Sequence, residues 1–338
     1  MTHGATINKL PGEFTLIARY FAPLARGFPG AYGLLDDAAV IAPSPGHELV
    51  AKTDAIIGSV HFLLDDPPDL VARKALRVNL SDLAAKGAVP LAYLLDLMLP
   101  KTISEEWIAA FARGLARDQD EYRVHLIGGD TDATPGPVSI AIMSFGEVAS
   151  GRILRRGGAH AGDAIFVTGT IGDAALGLEV LRGALSGLGA KATEFLVNRY
   201  RLPLPRVELG PRLTGLASAA LDVSDGLVAD LGHLCEVSQL KAVVEASRVP
   251  LSAAARAVCT IEPRRIATVL TGGDDYEILF TAPPTVRNKL NELSRALDVP
   301  ITAIGHMEAP SVGAVDLVTV RDDTGQQLVF DRGGWTHF

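Results

Sequence analysis

Five times along this 338-residue chain an aspartate stands beside a small residue at the edge of an apolar run: Asp36-Asp37-Ala38, Thr53-Asp54, Gly129-Asp130-Thr131, Asp222-Val223-Ser224-Asp225-Gly226 and Gly273-Asp274-Asp275. Short apolar runs alternate with longer helical patterns, which predicts an α/β or α+β enzyme with mixed sheets. Strand ends in such folds open onto ligand crevices, so the pattern predicts carboxylates delivered at strand ends into a crevice. Carboxylates gathered in one place repel one another unless cations sit between them. Mg²⁺ takes one or two carboxylates along with waters and phosphate oxygens, so scattered aspartates predict several ions bridging phosphates. Any one Asp beside Gly is an ordinary turn signature. Five of them in one chain favour a site.

Asp82 arises differently. In Asn79-Leu80-Ser81-Asp82-Leu83-Ala84-Ala85 it lies inside a helical pattern, three residues from Asn79 and on the same face. Both are poor residues for a helix interior, so they are expected to point at something polar; a solvated face is the alternative.

The balance of 31 basic and 39 acidic residues, without any run of five like charges, excludes a polyanion-binding surface and so nucleic acid. An acidic chain can still handle phosphates when divalent ions lie between. Cys235 and Cys259 are too few for a disulfide framework and lack zinc-site spacing, which predicts a reducing, cytoplasmic setting. Charged residues or prolines interrupt every long apolar run, and no signal pattern opens the chain, so no membrane span or leader is expected.

The length favours two domains. Strands are predicted over 48–57, 124–127, 137–148, 164–168, 219–223 and 277–282, and a helix over 70–85 with Asp69 as cap and Gly87 as stop. Gly, Arg and His break the periodicity over 149–162, which puts the domain junction there and gives domains 1–150 and 151–338. The apolar, glycine-hinged end Gly333-Gly334-Trp335-Thr336-His337-Phe338 reads either as a docked tail or as part of the site.

Neither a P-loop nor a dinucleotide-binding fingerprint is present, and the protein-kinase motifs are missing. Gly169-Thr170-Ile171-Gly172-Asp173 could hold an anion at a helix start, but a packing turn is the better expectation. No histidine pair or activated cysteine suggests covalent catalysis. His61, shortly after Thr53-Asp54 and before Phe62, is a candidate for recognising a phosphate or polar substrate.

These motifs, with Gly12-Glu13-Phe14, His61-Phe62, Gly128-Gly129-Asp130-Thr131, Gly272-Gly273-Asp274-Asp275-Tyr276-Glu277 and the terminal His337-Phe338, resemble the thiamine-monophosphate kinase family over essentially the whole chain. Looser forms are shared with the wider aminoimidazole ribonucleotide synthetase superfamily. The resemblance implies that superfamily's two-domain α/β fold. Its N-terminal domain, which binds ATP and metal, forms a β-barrel across a homodimer interface, and its C-terminal α/β domain completes the nucleotide and substrate site. It implies ATP-dependent phosphorylation of thiamine monophosphate to thiamine diphosphate by direct in-line transfer with several Mg²⁺ ions. The acceptor phosphate is already anionic, so neither a general base nor a covalent catalytic residue is expected.

By the same resemblance Asp37, Thr53, Asp54, Asp82, Asp130, Asp222 and Asp225 match metal ligands. Gly129, Asp130, Arg156 and Ser224 match ATP-binding positions, and His61, Asp274 and Trp335 match positions around the thiamine phosphate. Arg156 also suits polyphosphate as a fork-shaped donor. The chain departs from the family pattern at Leu35, where a glycine is usual, and at Lys52, where a small hydroxyl residue is usual at a metal position. Asp132 replaces a threonine, and Asp274 replaces a glutamate and so has a shorter reach. Another ATP-dependent reaction of the superfamily, on an amide or selenide, and a non-catalytic metal or nucleotide binder are the competing readings. The former lacks an N-terminal reactive cysteine motif or a C-terminal cysteine.

Overall fold

In a computed structural model, described over residues 10–310 and 316–336, the chain separates into two compact units. The first runs to Asn79 and resumes from Pro90 to Glu147; the second takes Leu80–Val89 and everything from Val148 onward. His337 and Phe338 lie outside the described residues.

The first unit contains, in order, α1 (Glu13–Leu16), a series of tight helical turns to Leu34, β1 (His47–Ile57), the start of α2 (Pro68–Ala85), β2 (Val89–Pro100), α3 (Glu105–Tyr122), β3 (His125–Thr134) and β4 (Ser139–Ala149). The strands lie in the order β1-β4-β2-β3. β2 and β3 run parallel from Ala92 opposite His125 to Pro100 opposite Thr134, and α3 makes the crossover such a pair requires. Ser104 starts α3 by accepting the Trp107 amide on its hydroxyl, with Glu105 and Glu106 in the positive first turn. The helix ends at Arg123 in a left-handed conformation.

α2 and α3 approach so closely at Gly114 that a side chain there would overlap the carbonyl of Asp69. Beside this crossing Asp118, fully buried, accepts from Arg73 Nε at 2.7 Å and from Arg77 Nε and a terminal nitrogen at 2.7 and 3.0 Å. The paired guanidinium forks satisfy a carboxylate that could not otherwise leave water.

Two expectations are corrected here. The strand expected to stop at Ile127 continues through the glycine pair to Thr134, because β2, absent from the sequence reading, pairs with it along its whole length. Asp130 therefore sits within a long strand, as Asp54 does within β1, and of these aspartates only Asp222 ends a strand.

The second unit is built from β5 (Ala164–Thr168), α4 (Asp173–Leu181), α5 (Ala190–Arg201), β6 (Ala219–Asp222), α6 (Leu227–Ser238), β7 (Lys241–Glu245), α7 (Ala253–Ile261), α8 (Ile266–Thr271), β8 (Ile278–Ala282), α9 (Arg287–Leu297), β9 (Ile301–Glu308), β10 (Val318–Arg321) and β11 (Gln327–Leu328). Its seven strands lie in the order β11-β10-β7-β9-β5-β8-β6, antiparallel except for β10 with β7. Every residue of β5 and β8 is buried, as continuous apolar strands covered on both faces should be. Strand alternation sends Ile165, Val167, Leu221 and Leu279 into one core and Phe166, Ala220, Ile278 and Phe280 into the other. Phe166 and Phe280 stack with ring centroids 5.2 Å apart.

Candidate functional site

In the first unit the site is organised by the bulge where β3 passes β2. Register shifts between Tyr93 and Leu94, leaving Ile127 without an opposite residue, and the strand then enters Gly128-Gly129-Asp130. Gly129 has φ +148, and a Cβ there would overlap the Leu95 carbonyl, so only glycine lets β3 lie this close to β2. Asp130 is therefore turned outward, where it accepts the amide of Thr131 at 2.8 Å. Asp36, Asp37, Gly129 and Asp130, together with apolar side chains such as Phe14 and Ile17, line a cavity of about 310 Å³. Leu35 adopts φ −108, an ordinary conformation, so it introduces no strain where the family uses glycine; the left-handed residues are Tyr32, Gly33 and Leu34 before it.

On β1, Lys52 and Asp54 share a face two residues apart, with Nζ 3.2 Å from the Asp54 carboxylate. Thr53 alternates onto the opposite, exposed face, so its side chain is not brought to Asp54's. Asn79 is buried rather than part of a solvated face: its Oδ1 accepts the Asp54 amide at 3.0 Å and its Nδ2 donates to the Ala75 carbonyl at 3.0 Å. His61 follows β1 in a tight turn, where its Nδ1 accepts the Ile57 amide at 3.0 Å.

In the second unit, Ser81 on the last turns of α2 donates to Oδ2 of Asp222 at 2.6 Å, with Asp82 next along the helix. From Asp222 the chain passes through Ser224, Asp225 and Gly226, whose three amides all point at Oδ2 of Asp230, 2.9 to 3.1 Å away. Burial, with the Asp225 charge adding to it and the three amides opposing, pushes the Asp230 carboxyl up to about 7. The Asp274 amide donates to the Ser224 carbonyl at 2.8 Å and the Trp335 amide to the Asp225 carbonyl at 2.9 Å. Ser224, Asp225, Asp274 and the half-exposed Trp335 therefore form one neighbourhood. The Arg155 carbonyl takes the Ala220 amide, which lays Arg155 and the exposed Arg156 along β6.

Asp274 and Tyr276 both hold left-handed backbone conformations, φ 72 and 53, which non-glycine residues keep only when their surroundings impose them. The imposing contacts come from the residues between and after them. Asp275, almost fully buried, accepts the amides of Gly172 at 2.6 Å and Ala174 at 3.3 Å at the start of α4. Glu277, fully buried, accepts from Thr168 Oγ1, Arg199 and Arg206. Asp173 accepts hydroxyls of Thr170 and Ser252, each at 2.5 Å. Burial pushes the carboxyls of both Asp173 and Asp275 upward. The Gly169–Gly172 turn spends its amides on Pro300, Pro250 and Asp275, so it is a packing turn.

Ser81, Asp230, Arg199 and Arg206 support the site, the last three without belonging to any of the motifs that mark it in the sequence. Asp230, five residues after Asp225 in the first turn of α6, could have been suspected from its position; the arginines gave no local signal.

Among the described residues no three His, Cys, Asp or Glu side chains converge into a cage for an ion. The donors present nonetheless suit Mg²⁺. Asp36, Asp37 and Asp130 offer hard carboxylate oxygens to one cavity, and an ion held by one or two of these completes its shell with water and phosphate oxygens.

Residues 35–148 match the family model of the AIR synthase related protein N-terminal domain, and residues 160–318 that of its C-terminal domain. Thiamine-monophosphate kinase of Escherichia coli K12 is 41% identical over 330 residues, covering 97% of this chain and 98% of the relative. That of Caulobacter vibrioides is 40% identical over 331 residues, covering 97% and 91%.

The chain belongs to the thiamine-monophosphate kinase family.

Solved structures of the family agree. The crystal structure of thiamine-monophosphate kinase from Stenotrophomonas maltophilia K279a superposes with a TM-score of 0.82 at 40% identity, covering 91% of this chain and 96% of that one. AaThiL complexed with AMPPCP and TMP superposes at 0.75 with 30% identity, covering 91% and 97%. The two-domain fold of AIR synthase related proteins is thus this chain's fold. Hydrogenase maturation protein HypE in complex with ATP, at 19% identity and a TM-score of 0.77, shares that fold.

Proposed function

We propose that this protein transfers the γ-phosphoryl group of ATP to the phosphate of thiamine monophosphate, giving thiamine diphosphate and ADP. The observation that carries the reading is 41% identity to a thiamine-monophosphate kinase across nearly the full length of both chains, supported by the family member complexed with AMPPCP and TMP.

The residues divide the work by their chemistry. Gly129 keeps the backbone bare where polyphosphate approaches, and Asp130, Asp36 and Asp37 turn carboxylates into the same cavity. Asp37, Asp54, Asp82, Asp130, Asp222 and Asp225 hold Mg²⁺, with Thr53 contributing through its backbone carbonyl. Bound Mg²⁺ offsets the charge that otherwise keeps two phosphates apart. Arg156 and Ser224 bind the nucleotide phosphates, and His61, Asp274 and Trp335 hold the acceptor. The acceptor oxygen is an anion already, so alignment and charge compensation suffice.

The working form is a cytoplasmic homodimer in which β1 carries the contact. β1 is the outer strand of its sheet and its residues 47–55 are largely exposed, an open edge of the kind that a second copy closes into a barrel.

Purified protein incubated with ATP, Mg²⁺ and thiamine monophosphate is expected to form thiamine diphosphate. Absence of product beside an active family member under the same conditions would overturn the reading, and nucleotide binding without turnover would support the non-catalytic alternative.

A further inference from the structure

We propose that buried Lys74 is a positioning residue that sets His61 as a hydrogen-bond donor, through Nε2, to the phosphate of the acceptor. The proposal rests on the assignment of His61 to the acceptor.

β1 ends at Ile57, and the chain then reverses: Gly58 bridges to Phe62, the Ser59 amide donates to the Phe62 carbonyl at 2.8 Å, and Ser59 itself is left-handed at φ 68. The His61 amide donates to the Ile57 carbonyl at 2.9 Å, and the Ile57 amide donates back to His61 Nδ1 at 3.0 Å. A ring nitrogen that accepts an amide proton carries none of its own, so the ring proton is on Nε2, on the far side from β1. The carbonyl of His61 accepts from Lys74 Nζ at 2.9 Å. Lys74 is 2% exposed and sits on α2, the helix whose Asn79 also holds the amide of Asp54. One rigid element thus fixes the backbone of both residues, and with it the approach of the His61 ring to the Ile57 amide. A neutral N–H donor suits a phosphate whose charge is met by cations, because it orients the oxygen without competing for it.

The test uses the full-length protein. In the wild type, ¹⁵N NMR of the imidazole should give a pyridine-type Nδ1 and a pyrrole-type Nε2. Lys74→Met should raise KM for thiamine monophosphate about tenfold while KM for ATP and kcat stay within about twofold, the signature of lost acceptor binding. It should also shift the ring signals toward a mixture of tautomers, with Lys74→Arg restoring both. At position 61, Gln, which can place an N–H where Nε2 lies, should retain more activity than Asn or Arg. A protonated Nδ1 in the wild type, or equal rises in both KM values for Lys74→Met, overturns the proposal, as does Arg outperforming Gln at position 61. The wild-type spectrum decides the tautomer even if Lys74→Met does not fold. Should His61 variants leave KM for thiamine monophosphate unchanged while the Nε2–H form is seen, the acceptor assignment fails rather than the tautomer.

Discussion

The hydroxyl of Ser81 donates to Oδ2 of Asp222 at 2.6 Å, and both residues are buried. It ties the last turns of α2 to the end of β6 and holds one carboxylate oxygen in a set direction. A hydrogen bond to a charged group contributes about 1.5–3 kcal/mol net. Ser81→Ala is expected to lower stability by that order and to raise the Mg²⁺ concentration needed for half-maximal turnover severalfold. Denaturant unfolding and a Mg²⁺ titration of activity measure the two effects; an unchanged Mg²⁺ requirement would separate Asp222 from metal binding.

Lys52 places an ammonium 3.2 Å from the Asp54 carboxylate, where a divalent ion would otherwise be the counter-charge. Asp54→Asn should reduce turnover by orders of magnitude in a folded protein. Lys52→Ser should do the reverse for metal: less Mg²⁺ should be needed for half-maximal activity, because the ion no longer competes with a tethered cation. A higher requirement in Lys52→Ser would mean that the ammonium helps to hold phosphate.

Asp173 ties stability to pH. Burial raises its folded-state pKa above the ordinary value of 3.8, so between the two values the folded protein holds more protons than the unfolded chain. Its contribution is therefore fully present below pH 3.8 and declines as pH rises through the folded-state value. Asp173→Asn, whose amide can still bond the Ser252 and Thr170 oxygens, should flatten the fall in Tm over that range. Identical slopes for variant and wild type would show that the group titrates normally.

Arg77 is 2% exposed and shares Asp118 with Arg73. Removing one member of a buried ion pair typically costs about 3–5 kcal/mol, because the partner charge stays buried. Arg77→Ala should reach the lower part of that range, since Arg73 remains; urea unfolding at fixed pH measures it. A loss below about 1 kcal/mol would mean that water reaches Asp118 readily.

Much of the secondary structure was legible because local rules decided it. The strand 164–168 matches β5, and the helix predicted over 70–85 lies within α2, with Gly87 at φ +72 just past its end. β2 escaped because Val89–Pro100 is rich in leucine with proline near both ends, and what makes it a strand is pairing with a segment more than thirty residues away. Its omission also hid the continuation of β3, and with it the mid-strand position of Asp130. Acidic residues and glycines at the site were visible as residue types. Their supports were not, since Ser81 meets Asp222 across 141 positions and Arg199 meets Glu277 across 78, separations that no local pattern encodes.

Helix α2 begins among the residues of one unit and ends among those of the other. Its final turn is built into the second unit's core: Gly210 fits only because it has no side chain to strike the Ala84 carbonyl, Lys86 donates to the carbonyl of Ala220, and the Leu154 amide donates to the carbonyl of Lys86. A gene cut between codons 147 and 148 would therefore yield no self-sufficient half. The downstream piece would lack a strut from far upstream, and a ribosome must have released residues 80–89 long before the strands they brace exist.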